Sequence, residues 1–154
     1  MDAKLVNPFV DAFTSVMPQI GFAEPKRAKL YVREKNAVSR GVAVVVGFTK
    51  QIRGNVVYNM STDTAKFIAS TMMMGMPVSD FDAMAQSAIS EMSNMLTATA
   101  ATNITGMGFE VDISTPSLSI GESFQIKISD AQYLTVEMDL AGQIVELDIA
   151  VDTK

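Results

Sequence analysis

Apolar residues recur along this chain at two spacings, and the change from one to the other marks out its elements. Between residues 79 and 106, Phe81, Ala85, Ala88, Ile89, Met92, Leu96 and Thr99 return every three or four positions. The spacing predicts a long helix with one apolar stripe facing a core. Ser79 or Asp80 can cap its start, with Asp82 in the first turn, where carboxylates suit the positive end of the helix. Gly106 supplies the stop. An earlier helix is predicted over residues 2–17, with Leu5, Phe9, Ala12, Phe13 and Val16 on one side. Pro8 complicates its start: either Asn7 caps and Pro8 opens the helix, or an earlier turn runs into a kink. Pro18, Gly21 and Pro25 then mark a loop. A third helix starts from a cap at Ser61 or Thr62, runs to about residue 74 and ends at Gly75 and Pro77. Its methionines are read as core filling, because methionine adapts to irregular gaps.

The other period is two. Strands are expected at residues 28–35, 42–48 and 52–61, then at 109–113, 118–120, 124–128, 132–140 and 144–151. The run Val42-Ala-Val-Val-Val46 is apolar without alternation, as in a strand covered on both faces or central in its sheet. Short turns at Thr49-Lys50-Gln51 and Ala141-Gly142-Gln143 predict two antiparallel hairpins. The order is helix, strands, helix, then helix, strands. It predicts an α+β fold in one domain spanning 1–154, made of two diverged helix–strand halves at about 1–77 and 78–154.

Composition narrows the chemistry. A chain of 154 residues that is 48% apolar can fill one substantial core. No apolar run reaches the roughly 18–20 residues of a membrane span and no signal segment opens the chain, so a soluble cytoplasmic protein is expected. Cysteine and histidine are both absent, which removes disulfides, thiol nucleophiles, the imidazole base and nearly all zinc chemistry. The net charge of −5 argues against nucleic acid as a partner. Eight basic residues fall between Pro25 and Gly54, whereas from Asp80 onward twelve acids face only Lys127 and Lys154. The alternation of Lys29, Tyr31 and Arg33 with Leu30 and Val32 reads as the wet face of a strand rather than a phosphate site.

The most pointed chemistry lies on the long helix. Glu91 and Asn94 sit three residues apart and off the apolar stripe, so they project from one surface beside small neighbours Ser87, Ser90, Ala98 and Ala101. An isolated pair of this kind is most often a solvated face. Here the run Ser87-Ala-Ile-Ser-Glu91-Met-Ser-Asn94-Met, with Pro116 downstream, resembles the active motif of the CheC/CheX/FliY family of chemotaxis response-regulator phosphatases. The likeness includes Met1-Asp2-Ala3 with Val6-Asn7, the run Met72-Met73-Met74-Gly75-Met76, and Val111-Asp112-Ile113. Length and the single motif point to the CheX branch.

The resemblance implies long helices packed on a largely antiparallel sheet. It implies that Glu91 and Asn94 are catalytic, with Asn94 orienting the water that attacks a receiver domain's phosphoaspartate and Glu91 pairing with the receiver's lysine. Ser87, Ser90 and Ala98 would contact the partner. No cofactor is expected on this chain; Mg²⁺ would belong to the phosphorylated CheY-like receiver. The first helix carries Lys4-Leu-Val-Asn7 where a second motif could fall, so Asn7 reads as a relic and one site per chain is expected. A homodimer joined through sheet edges is expected too. The rival expectation is a non-catalytic adaptor that binds receivers or sits in a flagellar switch assembly.

Overall fold

The computed structural model describes residues 2–153. Three α-helices pack on one face of a five-stranded antiparallel sheet. After a short 3₁₀ turn at Ala3–Leu5, α1 runs Asn7–Ile20, followed by β1 (Lys26–Lys50), β2 (Ile52–Ser61) and α2 (Thr62–Met72). Then come α3 (Ala83–Gly106), β3 (Val111–Ile113), β4 (Ser117–Leu140) and β5 (Gln143–Thr153).

The helices depart from the expected boundaries at their ends. Val6, not Asn7, is the residue before α1, and Pro8 is tolerated because it lies in the first turn, where its missing N–H has no intrahelical role. The helix also runs through Pro18 to Ile20, and Gly21 closes it with φ +124°, while the Phe22 N–H bonds back to the Met17 carbonyl. Ser61 does cap α2, its hydroxyl accepting the Thr64 N–H at 3.1 Å. In α3 the cap is Asp82, accepting the Ala85 N–H at 3.0 Å, so residues 79–81 belong to the loop before it. Its buried side follows Ala85, Ala88, Ile89, Met92 and Leu96 as expected, then passes through Ala100 and Ile104 rather than Thr99.

The strands are fewer and longer than their pattern. The segments expected at 28–35 and 42–48 are one strand, β1, and those at 118–120, 124–128 and 132–140 are one strand, β4. The two pair along most of their length, from Lys26↔Asp139 to Val45↔Ser117. Register shifts between Glu34 and Asn36 and between Val38 and Arg40 bend the ribbon without breaking it, with Lys35 at φ +59°. Both expected hairpins form. Ala141 and Gly142, both at positive φ, make the two-residue turn joining β4 to β5. Because β2 pairs with β1 as well as β5, the strands β1, β2, β5 and β4 form a closed hydrogen-bonded circuit.

One face of the sheet presents Val42, Val44, Val46, Val56, Tyr58, Leu147 and Ile149 to the helices, which contribute Phe9, Phe13, Ile68, Ile89 and Leu96 to the main core. The other face is covered in part by the bent ribbon, which packs Ala37, Ile126 and Ile128 with Ala43, Val57 and Ala150. That accounts for the unbroken apolar run at 42–46. The same second face holds buried Glu146 and Asp148 on β5. Glu146 lies 3.4 Å from Arg33 and 3.2 Å from Arg40, and accepts from the Asn59 amide at 3.2 Å. Asp148 accepts from the Thr135 hydroxyl at 2.8 Å, and its second oxygen, Oδ2, is buried without a partner.

Candidate functional site

Glu91 and Asn94 stand on the side of α3 turned away from the core. Both are exposed, and among the described residues neither side chain has an internal hydrogen bond or ion pair. Three positions apart on a helix, their Cβ atoms lie about 5–6 Å from one another. The side chains are therefore free for a partner, while the backbone that carries them is held from below.

Two polar contacts do the holding. The Thr97 hydroxyl donates to the Ser93 carbonyl at 2.7 Å, so at the 2.8 Å contact between them it is Tyr58 on β2 that donates to Thr97. Burial pushes the Tyr58 hydroxyl well above its ordinary value, and it keeps that proton. Farther along, the Asn103 amide donates to the Pro8 carbonyl of α1 at 3.0 Å. Neither contact was visible in the hydropathy pattern. Ser93 and Thr97 are polar yet fully buried, because each satisfies its hydroxyl on the carbonyl one turn back.

Of the three expected contact positions, Ser87 and Ala98 are exposed, one turn before Glu91 and one turn after Asn94, and Ser90 is half-buried. Asn7 is exposed at the start of α1, beside Lys4, Asp11 and the end of α3 around a cleft of ≈ 600 Å³. Pro116 lies between β3 and β4, and Ser114 ties that loop to β1 by accepting the Gly47 N–H at 2.7 Å.

The expectation that the methionines after α2 fill the core is corrected by the fold. Met72 packs against it and Met73 is half-buried, but Met76 is exposed and Met74 is 96% exposed. Met74 and Gly75, at φ +61° and +85°, turn the chain away from the core just there. Met84, 63% exposed, joins them from the first turn of α3. The charge around the site has one sign: the chain contains no lysine or arginine between Lys66 and Lys127, while Asp80, Asp82 and Glu91 are all exposed. Among the described residues no group of three or more acidic side chains is arranged to hold a metal ion, and no helix is long and apolar enough to cross a membrane.

Residues 42–139, which run from the middle of β1 through α3 to the end of β4, match the family model described as chemotaxis phosphatase CheX. The chain belongs to the CheX family. Over 127 residues it is 32% identical to the CheY-P phosphatase CheX of Thermotoga maritima, an alignment that covers 82% of each chain. A chain of the crystal structure of a CheX-CheY-BeF3-Mg complex from Borrelia burgdorferi superposes with a TM-score of 0.81 at 28% identity, covering 96% of this chain and 97% of that one. The CheX of a Desulfovibrio desulfuricans subspecies shares the fold at a TM-score of 0.85 with 21% identity, over 98% of this chain and 99% of its own. Like its CheX relatives, the chain is a phosphatase of the hydrolase class.

Proposed function

We propose that this chain hydrolyses the phosphoaspartate of a CheY-like receiver domain, with α3 laid over the receiver's phosphosite. The observation that carries the reading is the pair Glu91 and Asn94, exposed, unpartnered and side by side on a helix tied down at Thr97 and Asn103. The Thermotoga relative named as a CheY-P phosphatase supports the choice of substrate. The substrate is an acyl phosphate. A water oxygen bonds to phosphorus as the P–O bond to the aspartate breaks, giving a free carboxylate and inorganic phosphate, and the water's proton leaves with the phosphate.

Such a transfer demands little covalent chemistry and much positioning. The Asn94 amide holds the water in line with the breaking bond. Glu91 pairs with the receiver's lysine and sets the helix over the site, with Ser87, Ser90 and Ala98 forming the low surface that allows close approach. Mg²⁺ belongs to the receiver. The chain works as a homodimer in the cytoplasm, joined at an open sheet edge with α3 left accessible; light scattering tests that assembly.

The mechanism is tested by stopped-flow dephosphorylation beside a binding titration. Asn94→Ala loses about 10²–10³ in turnover, as expected for one preorganised polar group, and keeps its affinity. Glu91→Ala loses affinity as well as rate, since removing half of a desolvated charge pair costs about 2–5 kcal/mol. Near-wild-type turnover in Asn94→Ala would sink the mechanism. Binding of phosphorylated receivers with no turnover in the wild type would leave only the adaptor role.

A further inference from the structure

The surface that carries Glu91 does not end there. Toward the start of α3 it drops into a trough of ≈ 380 Å³ between the end of α2 and the first turns of α3, lined by Met72, Met73, Ala83, Met84, Ser87, Ala88 and Glu91. A second hollow of ≈ 210 Å³ continues from it, sharing Met73 and Met84 and bounded by Met76, Asp80 and Asp82. Apart from the hydroxyls of Ser87 in the trough and Ser79 in the hollow, the uncharged side chains of the floor and walls are apolar, chiefly thioethers and methyl groups, and the charged groups around them are all acids. Unbranched and polarizable, methionine side chains reshape around whatever apolar group enters.

We propose that this trough is the apolar half of the receiver footprint, taking an apolar side chain that the receiver presents next to the basic group at its phosphosite. The proposal rests on the phosphatase reading and extends it from the chemistry to recognition. Two observations choose the occupant. Glu91 lines the trough and is also three residues from Asn94, so a partner with its phosphoryl group at Asn94 meets the near end of the trough within about one helical turn of 5.4 Å, and a surface that follows α3 for about 15 Å reaches Met84. The rim of Asp80, Asp82 and Glu91, with no basic residue between Lys66 and Lys127, complements a partner that brings a cation beside its apolar group. Acids set the approach, methionines hold the contact, and Asn94 acts only once both are engaged.

The test is methyl NMR on the full chain labelled at its methionines, titrated with a receiver domain activated by beryllofluoride and Mg²⁺. Signals of Met73 and Met84 shift on binding, while that of Met107, 45% exposed beyond the other end of α3, stays in place. In steady-state kinetics Met84→Ser and Met73→Ser lower kcat/KM about tenfold, and the loss lies in KM. Asn94→Ala loses kcat instead, so the two ideas fail separately. Retained turnover in Asn94→Ala defeats the phosphatase mechanism whatever the methionines do. Silent Met73 and Met84 signals with a wild-type KM in the serine variants, beside an inactive Asn94→Ala, overturn the trough alone. Signals that move with protein concentration before any receiver is added would show a second copy of this chain on the trough, and would overturn it too.

Discussion

Asp148 shows most clearly how a single residue's surroundings set its behaviour. Burial, and next the neighbouring Glu146 carboxylate, push its carboxyl up to about 8, against the Thr135 hydroxyl and Arg33, which favour the charged form. Glu146 forms the ion pairs with Arg33 and Arg40, and among the described residues Asp148 Oδ2 has no hydrogen-bond partner. Other charged and polar groups of this cluster are Glu137 on β4, which shares Arg40 at 3.6 Å, Asn59 on β2, and Tyr133 on β4, whose hydroxyl is pushed up by burial and by Asp148. A carboxyl whose folded value lies above its unfolded one binds its proton more tightly when folded. Its contribution to stability is therefore complete below the ordinary carboxylate range, and is lost as pH rises from there to about 8. Asp148→Asn keeps an acceptor for Thr135 and cannot ionise, so its melting temperature stays level across that window while the wild type declines. Thermal melts of both proteins at matched ionic strength give the comparison. Parallel curves would mean that Asp148 is already ionised at neutral pH.

At the scale of an element, α3 illustrates how a helix is held in one rotation about its axis. Its buried side is rich in alanine, with Ala85, Ala88 and Ala100 among Ile89, Met92 and Leu96, so apolar shape alone specifies its roll weakly. The bond from Tyr58 to Thr97 supplies the missing specification from the sheet, and Asn103 supplies it from α1. Replacing Thr97 by the isosteric valine leaves the Tyr58 hydroxyl buried without an acceptor, which costs about 1–3 kcal/mol. Adding Tyr58→Phe removes the stranded group and recovers most of that loss, because a matched apolar pair of the same shape is close to neutral. Urea unfolding of the two single variants and the double variant reads the coupling. Additive losses would show that the two side chains do not depend on one another.

For the whole molecule the closed circuit of β1, β2, β5 and β4 leaves few open edges. The first half of β1 is one: residues 26–34 pair with β4 on one side and, among the described residues, have no strand on the other. Leu30 and Val32 there lie opposite Val136 and Leu134, so they face the helix side of the sheet, yet both are more than half exposed because the helices stop short of them. Two such edges joined about a two-fold axis pair the free backbone groups and cover those side chains. Light scattering at micromolar concentration should then give twice the 16.6 kDa of one chain, with and without a phosphorylated receiver. A monomer would defeat the dimer, and a dimer that splits on receiver binding would place both contacts on one surface.

The sequence by itself determined what depends on near neighbours: the helical stripe through Ala85, Ile89, Met92 and Leu96, a helix cap at Ser61 or Thr62, the turn at Ala141 and Gly142, and the exposure of Glu91 and Asn94. Each follows from periodicity or turn chemistry within a few residues. Only the tertiary structure decided the rest. Residues 36–41 fall between the strands expected at 28–35 and 42–48, yet they continue β1 because β4, some ninety residues later, completes its ladder across two register shifts. Glu146 and Asp148 alternate with Val145 and Leu147 as if they faced water, and are buried because Arg33, Arg40, Asn59 and Thr135 reach them from three other strands or strand segments. Of the methionines at the end of the second helix, read as core, Met74 by contrast came to the surface, because positive φ at Met74 and Gly75 turns the chain outward. Hydropathy records what a side chain prefers; the partners that satisfy it are chosen by contacts far apart in the chain.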